Sequence, residues 1–186
     1  AEEELNIWDT RLSTEAAKLW KGRNAFLEFL KGDLESNYKI ISGTQERLTF
    51  SYQSHEDRYE EHLLAHRSSD IQNGYTSIGP HRDDFTLFLD EKELSRAGSR
   101  GEHRSTVLVL KMAELRYIEK QTGEKPLLLL DDVFSELDTN RQKKLNTFIK
   151  DYQCILTTSS LDHLKGLKEA KVYWVNQGQL RRGAVD

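Results

Sequence analysis

Asp131 and Asp132 hold the position in this chain that most directly suggests chemistry. They follow four consecutive leucines, residues 127–130. Such an apolar run is typical of a strand buried on both faces, as in a parallel sheet covered by helices. Open α/β sheets bind ligands at the carboxyl ends of their strands. One carboxylate there can hold Mg²⁺ and a second can orient an attacking water. A core strand followed by a solvated acidic turn explains the same residues equally well.

A second segment, residues 98–104, lies upstream and contains two glycines and a serine. The residues after it predict a largely buried helix, because apolar side chains recur at 107, 108, 110, 112, 115 and 118. Backbone N–H groups and the positive end of the helix dipole would then face outward, which suits a phosphate. An ordinary glycine loop with Ser99 as N-cap is the alternative. The two segments together, in this order, are much more specific than either alone.

Together the two segments resemble the RecF family of the ABC/SMC ATPase superfamily. Ser99-x-Gly101-Glu102-x-Arg104 resembles the signature motif of that family. The sequence LLLLDDVFSELD, residues 127–138, resembles its Walker B motif and D-loop.

The resemblance extends along nearly the whole chain, from the helix around Trp8 to a terminal strand at 172–178. Residues 79–84 (GPHRDD), with Arg67-x-x-Asp70 and Gly74-Tyr75-Thr76 before them, also match the family pattern. Two residues depart from it: Glu102 stands where Gln is usual, and His103 stands where a second Gln is common.

The resemblance implies roles for individual residues. Asp131 would ligate Mg²⁺, and Asp132 would act catalytically by polarising the attacking water. Ser99 and Gly101 would contact the γ-phosphate of an ATP bound to the other protomer of a dimer. The other nucleotide-binding residues that it implies are Glu102, Arg104, Asp138 and Thr157. Asp138 would help join the two sites, and Thr157, together with Thr158, stands where ABC proteins carry a switch histidine.

For the intact protein, the resemblance implies a slow, cytoplasmic ATPase in DNA replication, the SOS response and recombinational repair of gapped DNA. It would dimerise on DNA with ATP and Mg²⁺ and work with RecR and RecO in loading RecA. A non-hydrolytic DNA-binding or scaffold module that keeps the ABC shape is the alternative.

No G-x-x-x-x-G-K-[ST] pattern occurs in the sequence, so the phosphate-cradling P-loop and its lysine are missing from these residues. RecF-like proteins are about twice as long, with Walker A near the N-terminus. We therefore expect the C-terminal half of such a protein, inactive as an ATPase by itself. A natural protein that lost its Walker A half is the rival account.

The pattern of elements predicts an α/β fold in two parts. Residues 1–104 would form a helical arm-like second lobe with some β structure, which ends in the signature loop. Residues 105–186 would form the parallel-sheet part of an ABC/SMC-like ATPase head. The elements expected in the first part are a helix to about residue 36, a strand at 48–52, a helix at 58–67, and a strand at 85–89 with a turn at 91–92.

In the second part, helix and strand alternate, as in a parallel α/β lobe. Asp138 is predicted to cap a helix at 139–150, and Ser159 to cap a short helix with Asp162. The strand at 152–158 lies between them, and its Cys154 is expected to be a small buried side chain.

The net charge of −4 argues against a broadly basic nucleic-acid surface. Any DNA contact would then use local patches, with Arg96, Arg100, His103 and Arg104 in one and Arg141, Lys143 and Lys144 in the other, although both also fit solvated helix faces. His62 and His66 have the spacing of paired zinc ligands but lack a third ligand. His81 could contact nucleotide or DNA, or be held by local hydrogen bonds. No apolar run is long enough to cross a bilayer.

Overall fold

The computed structural model describes residues 2–164, 167 and 170–183. These form two compact units. The first comprises the described residues of Ala1–Lys39 together with Gln45–His103, and the second comprises Ile40–Thr44 and the described residues of Arg104–Asp186.

The first unit combines helices with a small antiparallel sheet of order β1-β2-β3. Its elements are α1 (Glu2–Ser42, whose last residues belong to the second unit), β1 (Leu48–Gln53), α2 (Tyr59–Asn73), a 3₁₀ turn (Pro80–Arg82), β2 (Asp84–Leu89), β3 (Lys92–Glu93) and α3 (Leu94–Ala97). The alternating apolar residues of β1 and β2 pair in register, with Phe50 opposite Leu87. The predicted strands are therefore confirmed.

Both long helices run further than predicted. α1 continues six residues past the expected end near 36, and Tyr38 and Ile41 in that extension are buried. α2 continues to Asn73, where Gly74 takes a left-handed φ of 75° and donates its N–H to Asp70 O. Glycine adopts this conformation without steric cost, which explains why the helix ends there.

The turn between β2 and β3 lies one residue earlier than predicted. Asp90 and Glu91 both have positive φ, at 46° and 67°. Two left-handed central residues are typical of tight hairpin turns whose twist matches the flanking strands. Arg47 fixes this turn, because its N–H donates to Asp90 Oδ1 at 2.8 Å and its carbonyl accepts from Asp90 N at 3.1 Å.

A buried carboxylate organises the interior of the first unit. The Asp83 side chain is fully buried. It accepts hydrogen bonds from Trp20 Nε1 at 2.6 Å, from Arg23 at 2.7 Å and from the Tyr52 hydroxyl at 2.5 Å. The backbone N–H of His55 adds a bond at 2.9 Å, and His55 Nδ1 lies 3.1 Å away. Asp83 thus joins α1, β1 and the loop after β1.

The second unit has the α/β order that the sequence predicts. Its elements are α4 (Arg100–Thr122, which begins in the first unit), β4 (Leu128–Asp131), a 3₁₀ turn (Val133–Glu136), α5 (Thr139–Ile149), β5 (Cys154–Thr157), a second 3₁₀ turn (Leu161–Leu164), β6 (Tyr173–Asn176) and β7 (Gln179–Arg182). Strands β4 and β5 are parallel, whereas β6 and β7 form an antiparallel hairpin. The predicted α/β class is confirmed.

Burial of β4 on both faces is not observed. Leu129 and Ile155 pair in register, yet they are 68% and 57% exposed. Leu128 and Leu130 point to the other face and are half-buried, as is Cys154. The prediction of a strand buried on both faces is therefore wrong for the described residues, which cover only one face of this sheet.

The short helix after β5 is also capped differently from the prediction. Ser160, not Ser159, accepts the hydrogen bond from the N–H of Asp162, at 3.3 Å. Ser160 lies directly before the 3₁₀ turn, so its hydroxyl can reach that N–H.

Candidate active site

The two aspartates lie at the carboxyl end of β4, beside the end of β5. The parallel register places Asp131 opposite Thr157. Thr157 Oγ1 donates to Asp131 Oδ1 at 2.5 Å and accepts from the N–H of Asp132 at 3.1 Å. The structure therefore brings together three of the residues singled out from the sequence, with one hydroxyl linking the other two.

Asp132 has an unusual backbone conformation for a residue other than glycine. Its φ and ψ are 49° and 23°, in the left-handed region. Its N–H also bonds to Thr157 O at 3.2 Å, and Ser135 Oγ donates to its carbonyl at 2.8 Å and to its carboxylate at 2.9 Å. Such conformations cost energy and often mark functional sites. Asp131 and Asp132 are both exposed to solvent, as a site open to a ligand requires.

Asp138 caps α5, as predicted. Its Oδ1 accepts from the N–H groups of Asn140 at 3.0 Å and Arg141 at 2.9 Å, and its Oδ2 contacts the Arg141 guanidinium. The hydrogen bond from the Arg141 backbone is the largest cause of a pKa of Asp138 below the usual range, against a smaller opposing effect of burial. Asp138 is therefore an anion tied to the start of α5.

The predicted signature segment is the start of α4 rather than a loop before it. The helix begins at Arg100, so Gly101, Glu102 and Arg104 lie in its first turns. Ser99 and Glu102 form a capping box, because Ser99 N donates to Glu102 Oε2 at 2.7 Å and Glu102 N donates to Ser99 Oγ at 3.3 Å. The capping role that the sequence left open for Ser99 is thus present in this structure.

Gly98 lies in a tightly packed position just before this helix. A Cβ atom at this position would lie 2.6 Å from Leu94 O and 2.9 Å from His103 Nε2. No larger residue fits there without movement of the backbone. Ser99 itself is exposed at the surface of the first unit. Ser99, Gly101 and Glu102 belong to the first unit, and Arg104, Asp131, Asp132, Asp138 and Thr157 belong to the second.

Three of the basic residues proposed for DNA contact have structural partners, one of them being Arg96, whose Nε lies 3.1 Å from Glu93 Oε2. Arg141 Nε donates to Ser105 Oγ at 2.7 Å, in addition to its contact with Asp138. Lys144 Nζ donates to Ile41 O at 3.2 Å. Lys143 and the group around α4, Arg96, Arg100, His103 and Arg104, are exposed.

The other histidines noted in the sequence have local partners. His81 Nε2 lies 2.9 Å from Thr76 O, and His66 Nδ1 lies 2.9 Å from His62 O. Among the described residues, no group of three or more His, Cys, Asp or Glu side chains could hold a metal ion. Nor does any helix in that part of the chain have the length and apolar character needed to span a membrane.

Sequence reasoning missed His163. Its Nδ1 lies 2.7 Å from Thr158 Oγ1, and its ring stacks on Phe134 with centroids 6.2 Å apart. Neither partner has a spacing from His163 that suggests a motif, so the sequence held no signal for it. The cluster around Asp83 was missed for a related reason, because its donors come from distant parts of the chain.

The chain is similar in sequence to known RecF proteins. No family model matches the chain. The DNA replication and repair protein RecF of Ruminiclostridium cellulolyticum is 39% identical over 178 residues, which cover 89% of this chain and 48% of that protein. The RecF protein of Streptococcus uberis is 41% identical over 189 residues, covering 95% of this chain and 52% of that protein. The chain thus spans about half the length of these relatives.

Solved structures agree. One described as the recombination mediator protein RecF-ATP in the RecFOR pathway has a TM-score of 0.81 and 30% sequence identity, and the match covers 99% of this chain and 51% of that one. A second, described as RecF-ATPrS, has a TM-score of 0.83 and 31% identity. The resemblance to the RecF family is therefore confirmed in sequence and in fold, over nearly the whole chain and about half of each relative.

Proposed function

We propose that this chain supplies the Walker B, D-loop and signature parts of a RecF-like ATPase that acts in recombinational repair of gapped DNA. The observation that carries the proposal is the pairing of Asp131 with Thr157, which places two adjacent carboxylates at the carboxyl ends of parallel strands. Binding of ATP by the RecF-ATP structure supports a nucleotide as the ligand.

In this proposal the two aspartates have different roles. Asp131, whose carboxylate is oriented by the Thr157 hydroxyl, would contribute an oxygen ligand for Mg²⁺. Mg²⁺ commonly takes only one or two protein carboxylates, with water and phosphate oxygens completing its octahedron. The single carboxylate of Asp131, oriented by Thr157, fits that need, and the ion would neutralise charge on the phosphates. Asp132, held by Thr157 and Ser135, accepts a proton from the attacking water.

The proposal assigns the remaining motif residues to an ATP-dependent dimer. Ser99 and Gly101 at the start of α4 would receive the γ-phosphate held by the partner protomer, with Glu102 and Arg104 beside them. Asp138 and Thr157 would complete the nucleotide contacts. The P-loop would come from the rest of a RecF-like protein. Gapped DNA, RecR and RecO are the partners we propose for the intact protein, with RecA loading as the outcome.

The experiment is an Asp132→Asn substitution in the intact protein. Asparagine keeps the size of the side chain and one hydrogen-bond acceptor, but it cannot accept a proton as a carboxylate does. We expect ATP binding to persist while turnover falls about 10²–10⁴-fold. ATP-bound dimers should therefore accumulate. Phosphate release and light scattering with ATP measure the two effects.

The matched control is Asp151→Asn, which removes another exposed carboxylate of the second unit. It should hydrolyse ATP like the wild type. Wild-type turnover in the Asp132→Asn variant would refute the assignment of Asp132. Absence of turnover in the wild type, with DNA binding intact, would favour the non-hydrolytic scaffold instead.

A further inference from the structure

His163 lies at the place where the segments that follow β4 and β5 meet. The 3₁₀ turn of residues Leu161–Leu164 brings it back toward the end of β5. There Nδ1 lies 2.7 Å from Thr158 Oγ1, while the ring lies against Phe134 with the two planes inclined by 25°. The proposed function uses neither His163 nor these two contacts.

The contact between His163 and Thr158 is connected to the candidate site through Thr157. Thr158 directly follows Thr157, whose hydroxyl bonds to both Asp131 and the N–H of Asp132. Thr158 Oγ1 also lies 3.3 Å from both the N and the O of Ser160. The hydroxyl of Thr158 thus closes a turn that includes His163, and this turn fixes the direction in which the chain leaves β5.

The contact between His163 and Phe134 is connected to Asp132 through the segment that follows β4. Phe134 is fully buried and lies two residues after Asp132. Its carbonyl accepts from Gln142 Nε2 at 2.9 Å and from the N–H of Leu137 at 3.2 Å. The buried ring and these hydrogen bonds hold the segment that follows Asp132, and the His163 ring packs against one side of the Phe134 ring.

Asp132 depends on such support because its left-handed conformation is unfavourable by itself. Residues in that region persist only where the surroundings hold them. We propose that His163 is a positioning residue, which acts through Thr158 and Phe134 to keep the Asp132 carboxylate in its working direction. The inference rests on the proposed function, because it concerns the same hydrolysis step. His163 itself touches neither the nucleotide nor the attacking water in this account.

Four substitutions, three at His163 and one at Thr158, separate the two contacts. His163→Phe keeps a ring against Phe134 and removes the hydrogen bond to Thr158. His163→Asn keeps a polar atom near the position of Nδ1 and removes the ring. His163→Ala removes both, and Thr158→Val removes the hydroxyl from the other side.

We expect kcat of the intact protein to fall about tenfold in His163→Ala, the effect of losing an interaction of ordinary hydrogen-bond strength. KM for ATP should stay within about twofold, because no substrate contact is lost. The Asn and Phe variants should each recover part of the rate. Thr158→Val should cost less on the His163→Phe background than on the wild type, because the bond to His163 is already absent there and only the contacts of the Thr158 hydroxyl with Ser160 remain to be lost.

Two further measurements distinguish positioning from general stability. Amide exchange of residues 131–137 without nucleotide should speed up in His163→Ala. Thermal unfolding should show that each variant is folded at the assay temperature. The control is His66→Ala, an exposed histidine whose described hydrogen bonds are local to its helix, and it should change neither kcat nor exchange at 131–137.

The outcomes also separate this inference from the proposed function. If Asp132→Asn slows hydrolysis while His163→Ala leaves kcat and exchange unchanged, the role of His163 is refuted and the proposed function stands. If Asp132→Asn does not slow hydrolysis, both fail, because there is then no working direction of Asp132 to maintain.

Discussion

Asp83 illustrates how much one residue can carry in this protein. Its carboxylate is buried, which by itself raises the pKa of the group. Hydrogen bonds from Tyr52, the His55 backbone and Trp20 outweigh that effect and hold the pKa of Asp83 below its usual range. The charged form is therefore the one that the fold stabilises. Because its donors lie on α1, on β1 and after β1, the carboxylate ties these elements together.

We expect Asp83→Asn to destabilise the first unit by about 1–3 kcal/mol, because an amide cannot accept all the hydrogen bonds of the carboxylate and leaves buried donors unsatisfied. The substitution leaves Arg23 without its carboxylate and replaces an acceptor of several bonds by an amide. Urea unfolding, followed by tryptophan fluorescence, measures this loss in the free energy of unfolding. Asp84→Asn is the matched control, because Asp84 is exposed. A loss as large in the control would contradict the role of Asp83.

The same residue gives a pH dependence with a definite sign. A lowered pKa in the folded state means that Asp83 adds stability above its unfolded pKa, about 3.9, and loses it as the pH falls through the folded value. The stability difference between wild type and Asp83→Asn should thus be constant near neutral pH and shrink below about pH 4. A difference that grows on acidification would show that another group carries the effect.

At the scale of the element, α5 depends on the cap at its first turn. Asp138→Ala removes the acceptor for two backbone N–H groups and should cost about 0.5–2 kcal/mol. Asp138→Asn retains an acceptor and should recover most of that loss. Thermal unfolding of both variants at equal pH tests this. Equal losses in the two variants would mean that the charge toward Arg141, not the cap, supplies the stability.

The elements also show which features a sequence can predict. The Asp138 cap was predictable because donor and acceptor are two and three residues apart. The Asp83 cluster was not, because Trp20 and Asp83 are separated by 63 positions. The leucine run predicted a strand correctly. The burial of that strand was predicted wrongly. An apolar residue indicates a tendency to be buried, but it does not identify the segment that buries it.

The features of the candidate site also include some that the sequence predicts and others that it does not. Asp131, Asp132 and the resemblance to RecF could be inferred from short motifs. The Thr157 hydroxyl that links the aspartates depends on the strand register, and the left-handed backbone of Asp132 depends on tertiary support. The capping box of Ser99 and Glu102 is local, yet the sequence suggested only its Ser99 half. Its Glu102 was noted for a different reason.

At the scale of the whole molecule, the 186-residue chain by itself should neither bind ATP tightly nor hydrolyse it. Its sequence contains no P-loop pattern, and that loop supplies most phosphate contacts within a protomer. Calorimetry with ATP and a phosphate-release assay test the expectation. Tight binding, together with turnover that disappears in Asp132→Asn, would contradict it and would require a different phosphate site in these residues.

The open face of the β4–β5 sheet has a consequence for how the protein is made in a cell. Side by side, Leu129 and Ile155 present an apolar surface to water. Chaperones and proteases recognise such surfaces in incompletely folded chains. Chaperones and proteases would therefore recognise the second unit as incompletely folded until another segment covers that face. The yield of this unit in an expression host would then be limited by aggregation and proteolysis during synthesis, even where its own helices and strands form quickly.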